Sequence, residues 1–149
     1  MITISKVTKK RLGDILLEEG VLKKEQLDEA LKKQKAEGGL LGKILEKLGY
    51  VKEIDIVAAL VKQFNLPYIN VAKYVISKEV LDIVPADFCY KNQFVILDKI
   101  GKVLVIGISG PVDVAVFDEL ERVSGCRVFA YLSTSSAITA TLEKYFPRK

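Results

Sequence analysis

The sequence predicts an α+β fold: an N-terminal four-helix tandem-repeat unit, residues 1–66, followed by a small α/β sandwich of three or four strands, residues 67–149. Three observations predict it. Residues 11–34 match residues 40–63 at an offset of 29. Apolar residues in that half recur at helical spacing. After Pro67 the pattern changes to short β-branched runs divided by turn residues.

Internal repeats are read first, because a missed repeat miscasts the whole fold. Leu12-Gly13 falls on Leu41-Gly42, Ile15-Leu16 on Ile44-Leu45, Gly20 on Gly49, Lys23 on Lys52, Ala30-Leu31 on Ala59-Leu60 and Lys33-Gln34 on Lys62-Gln63. Ten of 24 positions are identical, with Leu22/Val51 and Leu27/Ile56 conservative, and five residues, Lys35 to Gly39, separate the copies. Each copy reads as helix, turn, helix. Leu12, Ile15 and Leu16 form a short apolar stripe, Gly20 ends that helix in a left-handed conformation, and Leu27, Ala30 and Leu31 lie on one face of the next. Leu41, Ile44, Leu45, Gly49, Ile56, Ala59 and Leu60 repeat the arrangement.

In the second half, Pro67 stops the last repeat helix and Tyr68–Val71 reads as a short strand. Ser77 caps a short helix to about Ile83, and Pro85 starts another. Phe94–Leu97 and Lys102–Ile108 read as strands joined by a glycine-containing hairpin at Asp98–Gly101. Val112–Ser124 reads as a helix ended by Gly125, Arg127–Ala130 as a strand, and Ser135–Tyr145 as a closing helix with serine at its start. Helices are expected on one face of the sheet.

Composition narrows the function. The chain has 149 residues, 50% hydrophobic and 28% charged, with no apolar run long enough for a bilayer and no signal-peptide core at its start. A cytoplasmic protein without direct membrane insertion is expected. There is no histidine, which removes Cys/His zinc sites and Ser-His or Cys-His dyads. Cys89 and Cys126 read as reduced, buried hydrophobes. The net charge of +4, with thirteen Lys/Arg against ten Asp/Glu in residues 1–63, suits an anionic ligand but is too weak to argue for DNA or RNA. Gly101-Lys102 belongs to a hairpin, since a Walker A loop is absent. Asp118, Glu119 and Glu121 read as a solvated helix face. No catalytic residue, cofactor or metal is expected.

Two features exceed what a helical bundle needs. Gln34 continues the stripe of Ala30 and Leu31, and Gln63 that of Ala59 and Leu60. An amide on such a stripe costs free energy unless paired, and its presence in both copies points to a ligand. Gly13 and Gly42 sit inside first helical turns, where glycine costs about 1 kcal/mol relative to alanine. Close approach by a ligand or by a neighbouring helix would account for them equally. A duplicated receptor suits a twofold ligand. Leucines cover bases, glutamines read base edges, helix N-termini favour phosphate, and Lys9, Lys10 and Arg11 are placed to meet phosphate or the acceptor edge of guanine.

The repeated pattern Arg-Leu-Gly…Gly…Leu…Leu-x-x-Gln closely resembles the MshEN domain, found at the N-terminus of type II secretion and type IV pilus assembly ATPases. The resemblance continues through Phe64–Tyr68, Val84-Pro85, Gly110–Asp113 and Tyr145-Phe146. It implies a receptor for cyclic di-GMP, each motif holding half of the ligand. The positions it implies are Arg11, Leu12, Gly13, Ile15, Gly20, Leu27, Leu31 and Gln34 in the first motif. In the second they are Leu41, Gly42, Leu45, Gly49, Ile56, Leu60 and Gln63. Leu40 stands where a second arginine would match Arg11. Asp113 matches an acidic position and is expected to orient Arg11 or a lysine.

The expected function is therefore a cyclic di-GMP-binding regulatory domain without catalysis, acting on a protein of the secretion or pilus machinery. It is either a separate receptor or part of a longer chain, since no ATPase follows Pro147. The alternative is a docking module of such a system that binds no nucleotide. Retained glutamines and Leu-Gly pairs favour the receptor.

Overall fold

A computed structural model describes residues 11–147. Each copy of the repeat folds into a seven-residue helix and a longer one. The first gives α1 (Leu12–Glu18) and α2 (Lys24–Glu37), the second α3 (Leu41–Lys47) and α4 (Glu53–Phe64). The sequence identity becomes identity of local chemistry. Gly20 and Gly49, at φ of 72° and 79°, end α1 and α3. In both, the glycine N–H donates to the carbonyl three residues back, and the next N–H donates five back (Val21 to Leu16, Tyr50 to Leu45). This closes the helix with the same pair of bonds twice. At the start of α2 the Lys23 N–H donates to Gln26 at 3.0 Å. At the start of α4 the Lys52 N–H donates to Asp55 at 3.2 Å. Helix α4 ends with Asn65 in the left-handed region, two residues ahead of Pro67.

The second half supplies α5 (Lys78–Leu81), α6 (Ala86–Asn92), β1 (Phe94–Ile100), β2 (Val103–Ile108), α7 (Val114–Ser124), β3 (Arg127–Leu132) and α8 (Ser135–Tyr145). Strand order is β1-β2-β3, with β1 antiparallel and β3 parallel to β2. The hairpin turns on two residues, Gly101 (φ 58°) and Lys102, so β1 runs on to Ile100, past the expected Leu97, and β2 starts at Val103, one residue after the expected Lys102. Ser77 and Pro85 precede α5 and α6 as expected, although Ser77 makes no side-chain cap. Thr134, not Ser135, caps α8, accepting from the Ala137 N–H at 3.1 Å. The architecture is the expected α+β arrangement with three strands.

Two expectations change. Tyr68–Val71 is not a strand. Tyr68 makes one parallel bridge to Leu132, and the Asn70 side chain then accepts from the Ala72 N–H, turning the chain into a 3-10 helix at Val71–Lys73. Helices also cover both faces of the sheet. A Cβ on Gly107 would meet Val71 at 2.7 Å and Ile138 of α8 at 3.4 Å, while Phe94, pointing the other way, stacks edge-on with Phe88 of α6. Burial on both sides explains the unbroken apolar runs at Phe94–Leu97 and Leu104–Ile106.

One continuous core joins the halves, running from Ile15 and Leu45 through Leu66 and Phe94 to Leu142. Glu53, at the start of α4, ties them at the surface. Its carboxylate accepts from the Ser136 N–H at 2.9 Å and the Ser136 hydroxyl at 2.6 Å, and pairs with Lys43 at 3.4 Å.

Candidate functional site

A cavity of about 680 Å³ lies between the repeat and the α/β half. The topology brings three junctions of the second half to it. Strand β1 runs opposite to β2 and β3, so the start of β1 and the ends of β2 and β3 lie at one end of the sheet. From there come Lys91, Asn92 and Gln93, the loop Ser109–Asp113, and Ser135 at the start of α8.

The repeat forms the opposite wall with equivalent residues of both copies. Leu12 and Leu41, Gly13 and Gly42, and Leu27 and Ile56 all line the cavity, as do the two helix-preceding residues Arg11 and Leu40. Neither Arg11 nor Leu40 caps its helix through a side chain. Leu31 and Leu40 also line it and are 43% and 47% exposed. The glycines have a packing role as well. A Cβ on Gly13 would lie 2.7 Å from Leu27, and one on Gly42 would lie 3.4 Å from Ile56, the copy-related partner.

Not all the implied positions reach the cavity. Ile15, Leu45 and Leu60 are fully buried core, and Gly20 and Gly49 shape helix ends. The two glutamines separate. Gln34 lines the cavity and its amide donates to the Gly39 carbonyl at 2.9 Å. Gln63 is not among the lining residues, and its amide donates to Glu19 of the first copy, which also pairs with Lys62 at 3.2 Å. Asp113 lines the cavity, but one of its oxygens accepts from the Ala115 N–H at 2.9 Å as the cap of α7. Among the described residues it makes no ion pair with Arg11 or a lysine. Lys9 and Lys10 lie outside the described residues.

Electrostatically the cavity is mixed. Arg11 and Lys91 have no ion-pair partner among the described residues, whereas Lys43 is held by Glu53. Burial alone would raise the Glu53 carboxyl. The hydrogen bonds from Ser136 and the Lys43 ammonium outweigh it and hold the group below the usual carboxylate range.

Sequence reasoning missed Gln93 and Ser135. Gln93 Oε1 and Ser135 Oγ are buried atoms without a hydrogen-bond partner among the described residues, and both residues line this cavity. Gln93 also holds a left-handed backbone, φ 52°, which is uncommon outside glycine and asparagine. Nothing in the periodicity marks either residue. No cluster of three Cys, Asp or Glu suited to a metal ion occurs among the described residues. No helix among them is long and apolar enough to cross a membrane.

The chain is 25% identical over 139 residues to the type IV pilus assembly ATPase PilB of Myxococcus xanthus, and 29% identical over 140 residues to PilB of Thermus thermophilus. Each alignment takes in 93% of the chain, which spans only 25% and 16% of those relatives' lengths. Among solved structures, MshE with cdg superposes with a TM-score of 0.69 at 26% identity, covering 92% of this chain and 99% of that one. The N-terminal domain of XpsE gives 0.71 at 20% identity, covering 91% and 94%, which shows the fold. The family model for the MshEN domain matches residues 64–149, so both copies of the repeat, residues 11–34 and 40–63, lie outside the matched stretch. With more than half of its length matched, the chain belongs to the MshEN domain family.

Proposed function

We propose that this domain is a non-catalytic regulatory receptor for cyclic di-GMP, acting in the cytoplasm on a protein of a type IV pilus or type II secretion system. The observation that carries the reading is the convergence of copy-related residues, Leu12 with Leu41 and Leu27 with Ile56, on one cavity of about 680 Å³. That volume falls in the range of small-molecule sites. Half-exposed leucines offer apolar planes for bases. Arg11, uncommitted to any carboxylate among the described residues, offers a planar set of donors for phosphate or a guanine edge. The likeness to MshE, whose structure holds cdg, supports the same ligand here.

Calorimetric titration with cyclic di-GMP, using GTP and cyclic di-AMP as controls, tests the reading. Selective binding near one ligand per chain is expected. Arg11→Ala should weaken it by about 1–3 kcal/mol through loss of charged hydrogen bonds. Absence of heat at tens of micromolar protein would leave the docking module as the better account.

A further inference from the structure

We infer that Gln93 and Ser135 are ligand-binding residues: the α/β half supplies its own hydrogen-bonding wall, and the ligand bridges the two halves. The inference rests on the receptor reading and adds contacts from outside the repeat.

Buried polar atoms in native proteins are almost always paired, so two orphans on one cavity call for a cause. Gln93 is fixed at both ends. Its backbone N–H closes α6 on the Cys89 carbonyl, and its Nε2 donates to the Tyr90 carbonyl at 3.0 Å. A carbonyl only accepts, so the amide cannot flip, and Oε1 is the atom left over. That atom needs a donor, as the N–H groups of a guanine edge or a ribose hydroxyl provide. Ser135 is freed from capping because Thr134 does that work. Its neighbour Ser136 is tied to Glu53 of the repeat, which fixes the start of α8 against α4. Ser135 thus lines the cavity with a hydroxyl that has no partner among the described residues and is able to give or take a hydrogen bond.

The two halves meet at this cavity, with Leu12, Leu41 and Gln34 on one wall and Gln93 and Ser135 on the other. A ligand satisfying both walls is held by groups 52 to 123 residues apart in sequence and resists their separation.

The test is a comparison of signs. Ser135→Ala and Gln93→Leu are titrated with cyclic di-GMP beside the unsubstituted domain, and each is melted without ligand. Each variant should bind about tenfold more weakly, from the loss of one ligand hydrogen bond. Ser135→Ala should also melt, ligand-free, no lower than the parent, because it deletes an unpaired group. Gln93→Leu loses the bond to Tyr90 too, so its melting point serves only to show that it is folded. Binding by the parent with affinities of both folded variants within twofold of it overturns this inference and leaves the receptor reading intact. A Ser135→Ala domain that melts several degrees lower has lost a structural bond and overturns the assignment of Ser135. Failure of the parent to bind overturns both readings.

Discussion

Replacing Gln63 with alanine removes an amide that donates to Glu19 across the two copies. The expected result is a loss of about 1 kcal/mol in folding stability, read by urea denaturation. Gln34→Ala, at the equivalent position, removes an amide from the cavity wall and should weaken cyclic di-GMP binding by a similar amount. Its binding deficit should exceed that of Gln63→Ala in calorimetry. The repeat alignment treats these residues as equal, and nothing local separates them. What does is position 19 against 48, where the first copy has Glu19 and the second has Leu48. At the same scale, burial pushes the Cys89 thiol up to about 12. Maleimide at pH 8 should leave Cys89 unmodified in the native domain and modify it in guanidinium, as peptide mass mapping would show. Its buried, inert character is legible from composition. Gln93 and Ser135 are not, because whether a polar atom has a partner depends on neighbours that only the folded chain brings near.

Helix ends are where sequence and structure agree most closely. Gly20, Gly49 and Gly125 each end a helix in the left-handed region, and Asn65 does so ahead of Pro67. These are decided within a few residues, so local chemistry suffices. Tyr68–Val71 fails as a strand for the opposite reason. Its β-branched pattern is right, but pairing depends on β3, which offers a single bridge at Leu132. The two in-helix glycines give a test at this scale. In Gly42→Ala the added Cβ meets only ordinary contacts at 3.4 and 3.6 Å, and helix propensity favours alanine by about 1 kcal/mol. The melting temperature should rise or hold. In Gly13→Ala the Cβ lies 2.7 Å from a Leu27 methyl that is itself packed in the core. Overpacking of about 1–3 kcal/mol should outweigh the propensity gain, and the domain should melt lower. Copy-related substitutions would then move stability in opposite directions.

For the whole molecule, the contact from Glu53 to Ser136 and Lys43 joins the repeat to the α/β half. Because the folded-state carboxyl lies below its ordinary value of 4.5, its contribution is complete above that pH. It is lost as pH falls through the lower, folded value. Melting curves between pH 6 and pH 3 should show the unsubstituted domain losing stability more steeply than Glu53→Gln, which has no carboxyl to protonate. Equal slopes would mean that the carboxylate does not couple to folding. The cavity itself was half legible. Its repeat wall follows from the duplicated pattern, whereas Ser109–Asp113 and Ser135 meet there because β2 and β3 run parallel, and Gln93 joins them because β1 is reversed, none of which periodicity encodes.

The opposing walls also have a spectroscopic consequence. Leu12 and Leu41 line the cavity as copy-related equivalents and would meet the halves of a twofold ligand alike, but Gln93 and Ser135 have no copy-related counterparts. Free cyclic di-GMP has interchangeable halves and shows a single guanine H8 resonance. Held in this cavity, its two nucleotides would sit in different magnetic environments. The bound ligand should show two H8 signals, and the difference between them would report how far a duplicated motif has become two different hands.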